Sequence, residues 1–304
     1  MLLAKAISFP NLHINIDTLP KSFSLFGFDV AFYGVIIALG MILGIAMAVY
    51  EAKKTGQDTS VYTDFAIFAI IVSVVFARIY YVVFSWDYYS EHLGEIINIR
   101  GGGLAIYGGV IGAVLTAIVY CKIKKYSLGL LMDTGVLGLL VGQIIGRYGN
   151  FFNREAFGGA VSNSHPFVMR LYFGKEFAID QVPEQVASKM EHISGKSLVE
   201  LGYVQVQPTF LYESLWNLIV LIVILVFRRK KAFNGEVFLW YLFGYGIGRF
   251  IIEGMRTDQL LIPGVEWPIS QVLSAVLVVA AVAIDIAIRL KKRPENIPEE
   301  SQED

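Results

Sequence analysis

The chain has 304 residues, is 55% hydrophobic and only 17% charged, and carries a formal net charge of −1. A soluble globular domain sits near a quarter charged, and a charge so close to zero gives none of the basic field that holds nucleic acid. Cys121 is the single cysteine, which excludes a disulfide within the chain and a cysteine-rich metal site.

In chain order, residues 1–29 come first. Their apolar start is brief and is interrupted by Pro10 and Asn11, unlike a cleaved signal peptide. They are expected to form an interfacial segment on the outer face. A run of ~20 apolar residues rising ~1.5 Å each crosses a ~30 Å hydrocarbon core. Seven such runs are predicted, over 30–50, 63–84, 104–121, 128–146, 209–227, 236–252 and 269–290. The fold class is therefore an all-α polytopic membrane protein.

Basic residues in the short connections set the orientation. Lys53 and Lys54 follow the first run, Lys122, Lys124 and Lys125 the third, Arg228 to Lys231 the fifth, and Arg289 to Arg293 the last. With seven crossings all four groups fall on one side, which the positive-inside rule makes cytoplasmic. The N-terminus is then outside and the C-terminus inside. The partition is an external segment at 1–29, four spans within 30–149, an extracytoplasmic cap at 150–208, three spans within 209–293, and a disordered acidic tail at 294–304. Short strands are expected in the cap within Phe167–Phe173 and Tyr203–Val206, with a helix near Pro183–Ile193.

Charges inside spans cost ~2.5–3.5 kcal/mol each near mid-membrane, so each needs a reason. Arg78, Asp133 and Glu213 read as ion pairs that fix the packing of the bundle. Arg249 and Glu253 lie four apart on one helix face, with Arg256 a turn further out. The glycines before Arg249 would keep one wall of that helix open. A guanidinium at headgroup depth suits a phosphate, whose oxygens its planar fork binds in pairs.

Two further groups lie at the same depth. Arg147, Asn150 and Asn153 recur every third residue and share a face if the helix continues, with Glu155 as the nearby carboxylate. The run Gly101-Gly102-Gly103-Leu104-Ala105-Ile106-Tyr107-Gly108-Gly109 would break a membrane helix unless it lines a protein-enclosed cavity. Tyr33 in the first span reaches the same level. These features point to a site for an anionic headgroup, open to lipid, and a transporter for an anionic solute or lipid also fits them.

The segment Gly146-Arg147-Tyr148-Gly149-Asn150-Phe151-Phe152-Asn153-Arg154-Glu155 resembles the signature of the prolipoprotein diacylglyceryl transferase family. The resemblance runs through Phe32-Tyr33-Gly34, Ala77-Arg78-Ile79, the glycine-rich run, Asp133, Gln207 to Glu213, and Gly248-Arg249 with Glu253. It implies a seven-span, N-out enzyme of the bacterial inner membrane without metal or other cofactor. Its partners would be phosphatidylglycerol and prolipoprotein signal peptides bearing a lipobox cysteine, with no nucleic acid. The implied reaction moves the diacylglyceryl group to the cysteine thiol as a thioether and releases glycerol 1-phosphate.

On that reading the catalytic candidates are Arg147, Arg249, Glu155, Glu253 and Tyr107. The substrate-binding candidates are Asn150, Asn153, Tyr33, Gly102, Gly103, Gly158 and Arg256. Some family members place a histidine where this chain has Tyr107, and a phenol with a pKa near ~10 is a poor base. Tyr107 is therefore expected to hydrogen-bond substrate, while the arginines stabilise the leaving phosphate.

Overall fold

The computed structural model describes residues 6–99 and 102–291. Gly101, Lys292, Arg293 and the acidic tail anticipated at 294–304 lie outside the described residues. In chain order the described elements begin with β1 (Ile7–Phe9), β2 (Ile14–Ile16), β3 (Ser22–Leu25) and β4 (Phe28–Ala31). Helices α1 (Phe32–Lys54), α2 (Thr59–Phe84), α3 (Trp86–Tyr89), α4 (Ile106–Lys124) and α5 (Leu128–Asn153) follow. Then come β5 (Met169–Tyr172), α6 (Glu184–Ser194), α7 (Leu198–Leu201), β6 (Tyr203–Val206), α8 (Thr209–Phe227), α9 (Glu236–Glu253) and α10 (Ile269–Lys291).

Six of the helices, α1, α2, α4, α5, α8 and α10, are long and apolar enough to cross a membrane. Their outward surfaces are oily: Ile42, Ile71, Val83 and Val279 are each more than half exposed. Apolar area on that scale needs lipid around it, and the protein is a multi-pass membrane protein. The remaining long helix, α9, spans 18 residues and carries Glu236, Arg249 and Glu253. Those charges turn into the bundle rather than outward, because Glu236 and Glu253 are buried.

Local chemistry sets the helix ends. Asp58 accepts the Ser60 N–H at 2.9 Å and starts α2, and Ser127 accepts the Leu130 N–H at 3.3 Å and starts α5. Helix α5 runs past the predicted end at residue 146 and stops where Arg154 takes a left-handed φ of 56°. Pairing of α1 with α5 rests on small residues facing each other. A Cβ on Gly44 would lie 2.6 Å from the Gly138 carbonyl, and one on Gly40 3.2 Å from the Gly142 carbonyl.

Ion pairs tie the basic end of the bundle. Arg228 forks onto Glu51 at 2.6 and 3.0 Å, joining the end of α8 to α1. Glu236 binds Arg289, joining α9 to α10. Asp133 on α5 accepts Lys231 at 2.8 Å and the N–H groups of Gly235 and Phe238 at 2.9 and 3.1 Å, so it caps α9 from a neighbouring helix. A carboxylate there also complements the positive end of the α9 dipole.

Opposite the basic end sits a β-rich unit with its own core. One antiparallel sheet has the order β2-β1-β5-β6, so the N-terminal strands pair with strands from the connection between α5 and α8. Ile7, Leu171, Val204 and Val206 are fully buried beneath α6, which contributes Val186 and Met190. Each such aliphatic side chain contributes ~1.5–3 kcal/mol relative to exposure. Arg154 is buried between this unit and α5, donating to the carbonyls of Phe152 (3.1 Å) and Leu19.

Candidate functional site

Three helices converge beneath the β-rich unit and bring their charges together. Arg147 comes from the last turns of α5, Glu213 from the second turn of α8, and Arg249 and Glu253 from the end of α9, with Arg256 just beyond it. Glu213 is the hub. Arg147 approaches it at 2.5 Å, Arg249 donates to it at 3.0 Å, and Arg256 lies at 3.7 Å. The four-residue spacing of Arg249 and Glu253 is realised as a 2.5 Å contact. Arg256 faces Glu253 at 3.8 Å and forks onto Asp258 at 2.9 and 3.0 Å.

Glu213 and Glu253 are only 5% and 4% exposed along their side chains, against 21% for Arg147. Buried carboxylates of that kind persist only when paired. They in turn fix where each guanidinium points. Burial works against the Arg256 charge, and the carboxylates of Asp258, Glu213 and Glu253 more than offset it, holding this guanidinium above its ordinary range. Arg147 has Glu213 as its one ion-pair partner among the described residues and is the most exposed of the three arginines.

Asn150 and Asn153 follow Arg147 along α5, and both side-chain amides donate to Glu155, at 3.0 and 3.2 Å. Glu155 is exposed and pairs with no arginine among the described residues. Tyr33 packs against Gly149, where a Cβ would sit 2.8 Å from its ring. Gly158 is a spacer: its N–H donates to the Gln207 carbonyl at 2.9 Å and its backbone pairs with that of Arg256. A Cβ there would come within 3.0 Å of the Met255 carbonyl, so the small residue lets Arg256 sit where it does.

The glycine-rich entry to α4 is organised by Arg78. In place of the ion pair expected from the sequence, Arg78 pairs with no carboxylate among the described residues. Its guanidinium donates to the carbonyls of Glu95, Ile96, Gly102 and Gly103 at 2.6–3.1 Å and stacks over Tyr89 at 5.1 Å. Five fixed donors can hold an irregular segment as firmly as a carboxylate would hold the charge. Gly102 and Gly103 take φ of 93° and 73°, which exposes those carbonyls to Arg78. Tyr107 opens α4 and its hydroxyl lies 3.2 Å from Ser270 on α10, closing a span of the wall between two helices that are distant in sequence.

A second expectation also changes. The glycines before Arg249 do not leave an open wall: Gly244 meets Val220, Gly246 meets Val278, and Gly248 meets the Trp216 indole. Close packing, with Trp216 donating to the Gly244 carbonyl at 2.8 Å, is what they permit. Glu213, expected to form an ion pair, does so with three arginines at once. Asp258 and Ser270 were not singled out, since each lies in a connection or helix start without a motif, and only the folded chain brings them to Arg256 and Tyr107.

Taken together, this is a polytopic helical membrane protein that buries an arginine–carboxylate cluster at the end of the bundle bearing a small β-rich unit. The chain matches the family model for prolipoprotein diacylglyceryl transferase over residues 20–287. It is 43% identical to the phosphatidylglycerol–prolipoprotein diacylglyceryl transferase of Listeria monocytogenes serotype 4b (strain CLIP80459), over 90% of this chain and 91% of that protein. Against the protein of the same name from Bacillus velezensis (strain DSM 23117 / BGSC 10A6 / LMG 26770 / FZB42) identity is again 43%, over 90% and 93% of the two chains. Against that of Clostridioides difficile (strain 630) it is 40%, over 92% and 98%. The chain belongs to the prolipoprotein diacylglyceryl transferase family.

Proposed function

We propose that this enzyme transfers the diacylglyceryl group of phosphatidylglycerol to the lipobox cysteine thiol of a prolipoprotein. The carbon–oxygen bond to the phosphate breaks, a carbon–sulfur bond forms, and glycerol 1-phosphate leaves. The observation that carries this reading is the meeting of Arg147, Arg249 and Arg256 on the shared carboxylates Glu213 and Glu253. Negative charge grows on the phosphate as it departs, and guanidinium groups already held in place stabilise that charge without reorganising. Arg147, the most accessible of the three, is assigned the first contact with phosphate. Arg249 and Arg256 complete the cradle, and Glu213 and Glu253 orient them.

The thiol must lose its proton before it attacks, because the thiolate is the nucleophile. Glu155 is the carboxylate nearest the accessible face that no arginine claims, and it is assigned as the acceptor, with Asn150 and Asn153 fixing its position. Tyr107 and Tyr33 are assigned as hydroxyl contacts to substrate, and Gly102 and Gly103 as the backbone floor of the headgroup pocket. A transporter reading draws no support from the relatives, which carry a transferase name.

The topology belongs to the same proposal. Helix α9 is ~27 Å long at ~1.5 Å per residue, and it lies between α8 and α10 with its charges inward. Counting it as a span gives seven crossings, places the basic connections in the cytoplasm, and puts the β-rich unit and the arginine cluster at the outer face of the inner membrane.

The test is a transfer assay. Purified protein in detergent is mixed with phosphatidylglycerol and a lipobox peptide, and the peptide mass is followed. A gain of one diacylglyceryl group on the cysteine, lost in Arg147→Ala with the fold intact, is expected. Absence of any gain from a folded, lipid-loaded preparation would overturn the assignment.

A further inference from the structure

Away from the arginine cluster, helices α8 and α10 both pack on α9 and leave a crevice of about 660 Å³ across its face, in the half of the bundle nearer the basic connections. This is the volume of an ordinary ligand pocket. Its wall is almost wholly apolar, with Val223, Phe243, Val282 and Ile286 opening outward. From Trp216 to Phe227 the α8 side of the wall is ~16 Å long at ~1.5 Å per residue. That is the hydrocarbon depth of one leaflet, half of a ~30 Å core.

The crevice ends in charge. Lys230, Asp285 and Arg289 close it on the basic side. Arg289 is committed to Glu236 and to Asp285 at 3.1 Å, yet its side chain stays half exposed. Lys230 has no carboxylate partner among the described residues and lies 5.3 Å from the Phe227 ring centre, so its ammonium stands at the mouth of the apolar channel. Asp285 Oδ1 is buried and accepts no hydrogen bond among the described residues. One end therefore offers a cation, and the rest offers a leaflet-deep apolar slot.

We propose that this crevice is a binding site for an anionic phospholipid of the leaflet facing the basic connections. An acyl chain fills the slot between α8 and α10. The phosphate sits by Lys230 and the exposed edge of Arg289. The occupant pins α10 to α8 through a lipid rather than through side chains. This site lies on a different face and in the other half of the bundle from the arginine cluster.

The test uses brominated lipids, which quench tryptophan on contact. In the full chain with Trp86, Trp216 and Trp267 replaced by Phe, Trp240, which lines the crevice, is the one tryptophan and is excited selectively. The protein is placed in phosphatidylcholine vesicles containing a minor fraction of phosphatidylglycerol, with bromine on one lipid or the other. Brominated phosphatidylglycerol is expected to quench about fivefold more per mole than brominated phosphatidylcholine, the preference conferred by one cation near the membrane surface. Lys230→Ala should bring the two lipids to parity. Equal quenching in the parent protein, or a preference that survives Lys230→Ala, would overturn the proposal. Because Trp216→Phe can disturb α8 against α9, native mass spectrometry of the otherwise natural chain supplies a second reading. Lys230→Ala should retain one phosphatidylglycerol fewer, and an unchanged number overturns the site. Neither measurement depends on transfer activity, so failure here leaves the transferase reading standing.

Discussion

Glu213→Gln isolates the hub of the arginine cluster. The substitution keeps the side-chain shape and one acceptor but removes the charge that faces Arg147 at 2.5 Å, Arg249 at 3.0 Å and Arg256 at 3.7 Å. Charge centres ~4 Å apart interact by ~4 kcal/mol at an effective dielectric of ~20. The measured cost of breaking a buried pair is in the same range, ~3–5 kcal/mol. Some of that loss is taken up by Glu253, which still holds Arg249 and faces Arg256. Arg147 keeps no carboxylate among the described residues, so it is the group that moves. Loss of one well-placed donor to a developing anion costs ~10²–10³ in kcat. The expected outcome is therefore a fall of about that size in diacylglyceryl transfer to a lipobox peptide, followed by mass, with a lowered but measurable melting temperature in detergent. Glu213→Asp should recover part of the rate by restoring the charge. A Glu213→Gln enzyme with unchanged kcat would refute the idea that this carboxylate positions the arginines.

Asp133→Ala removes the acceptor for Lys231 and for two N–H groups at the start of α9; a stability loss of ~3–5 kcal/mol is expected, seen as a lower melting temperature, while the folded fraction keeps its kcat. Gly248→Ala places a methyl group in the Trp216 indole; overpacking of this kind costs ~1–3 kcal/mol, and pairing it with Trp216→Leu should restore part of the melting temperature. If the single substitution is neutral, α8 and α9 do not pack as described. The Ser60 backbone N–H, at 2.9 Å, holds the Asp58 carboxyl below its ordinary range. A depressed pKa in the folded state gives stability that is present above the unfolded value and lost as pH falls through the folded one. Below pH ~4, near the ordinary aspartate pKa, the natural chain should lose melting temperature more steeply than Asp58→Asn, and parallel curves would count against the cap.

Hydrophobic patterning alone gives the medium and most of the elements. Long uncharged runs have one stable solution, a membrane helix, because the backbone must satisfy its own hydrogen bonds in lipid. The runs at 30–50 and 269–290 accordingly appear as Phe32–Lys54 and Ile269–Lys291. The strand near Tyr203–Val206 and the helix near Pro183–Ile193 are also legible in the sequence. So was the Arg249–Glu253 contact, since four residues on a helix are a fixed geometry.

Partners distant in the chain emerge only from the fold. Nothing local in Glu213 marks it as common to Arg147, Arg249 and Arg256, because those contacts depend on how α5, α8 and α9 converge. Arg78 looked like half of an ion pair, and the folded chain gave it four carbonyls instead. The N-terminal strands carry no signal that they join β5, where Ile7 pairs with Leu171. Glycines are ambiguous for the same reason: one without a side chain is compatible with an open wall or with a neighbour in contact, and at Gly248 only the position of Trp216 distinguishes the two. Hydrophobic pattern and helical spacing are properties of a segment, whereas charge pairing and close packing are properties of an arrangement of segments.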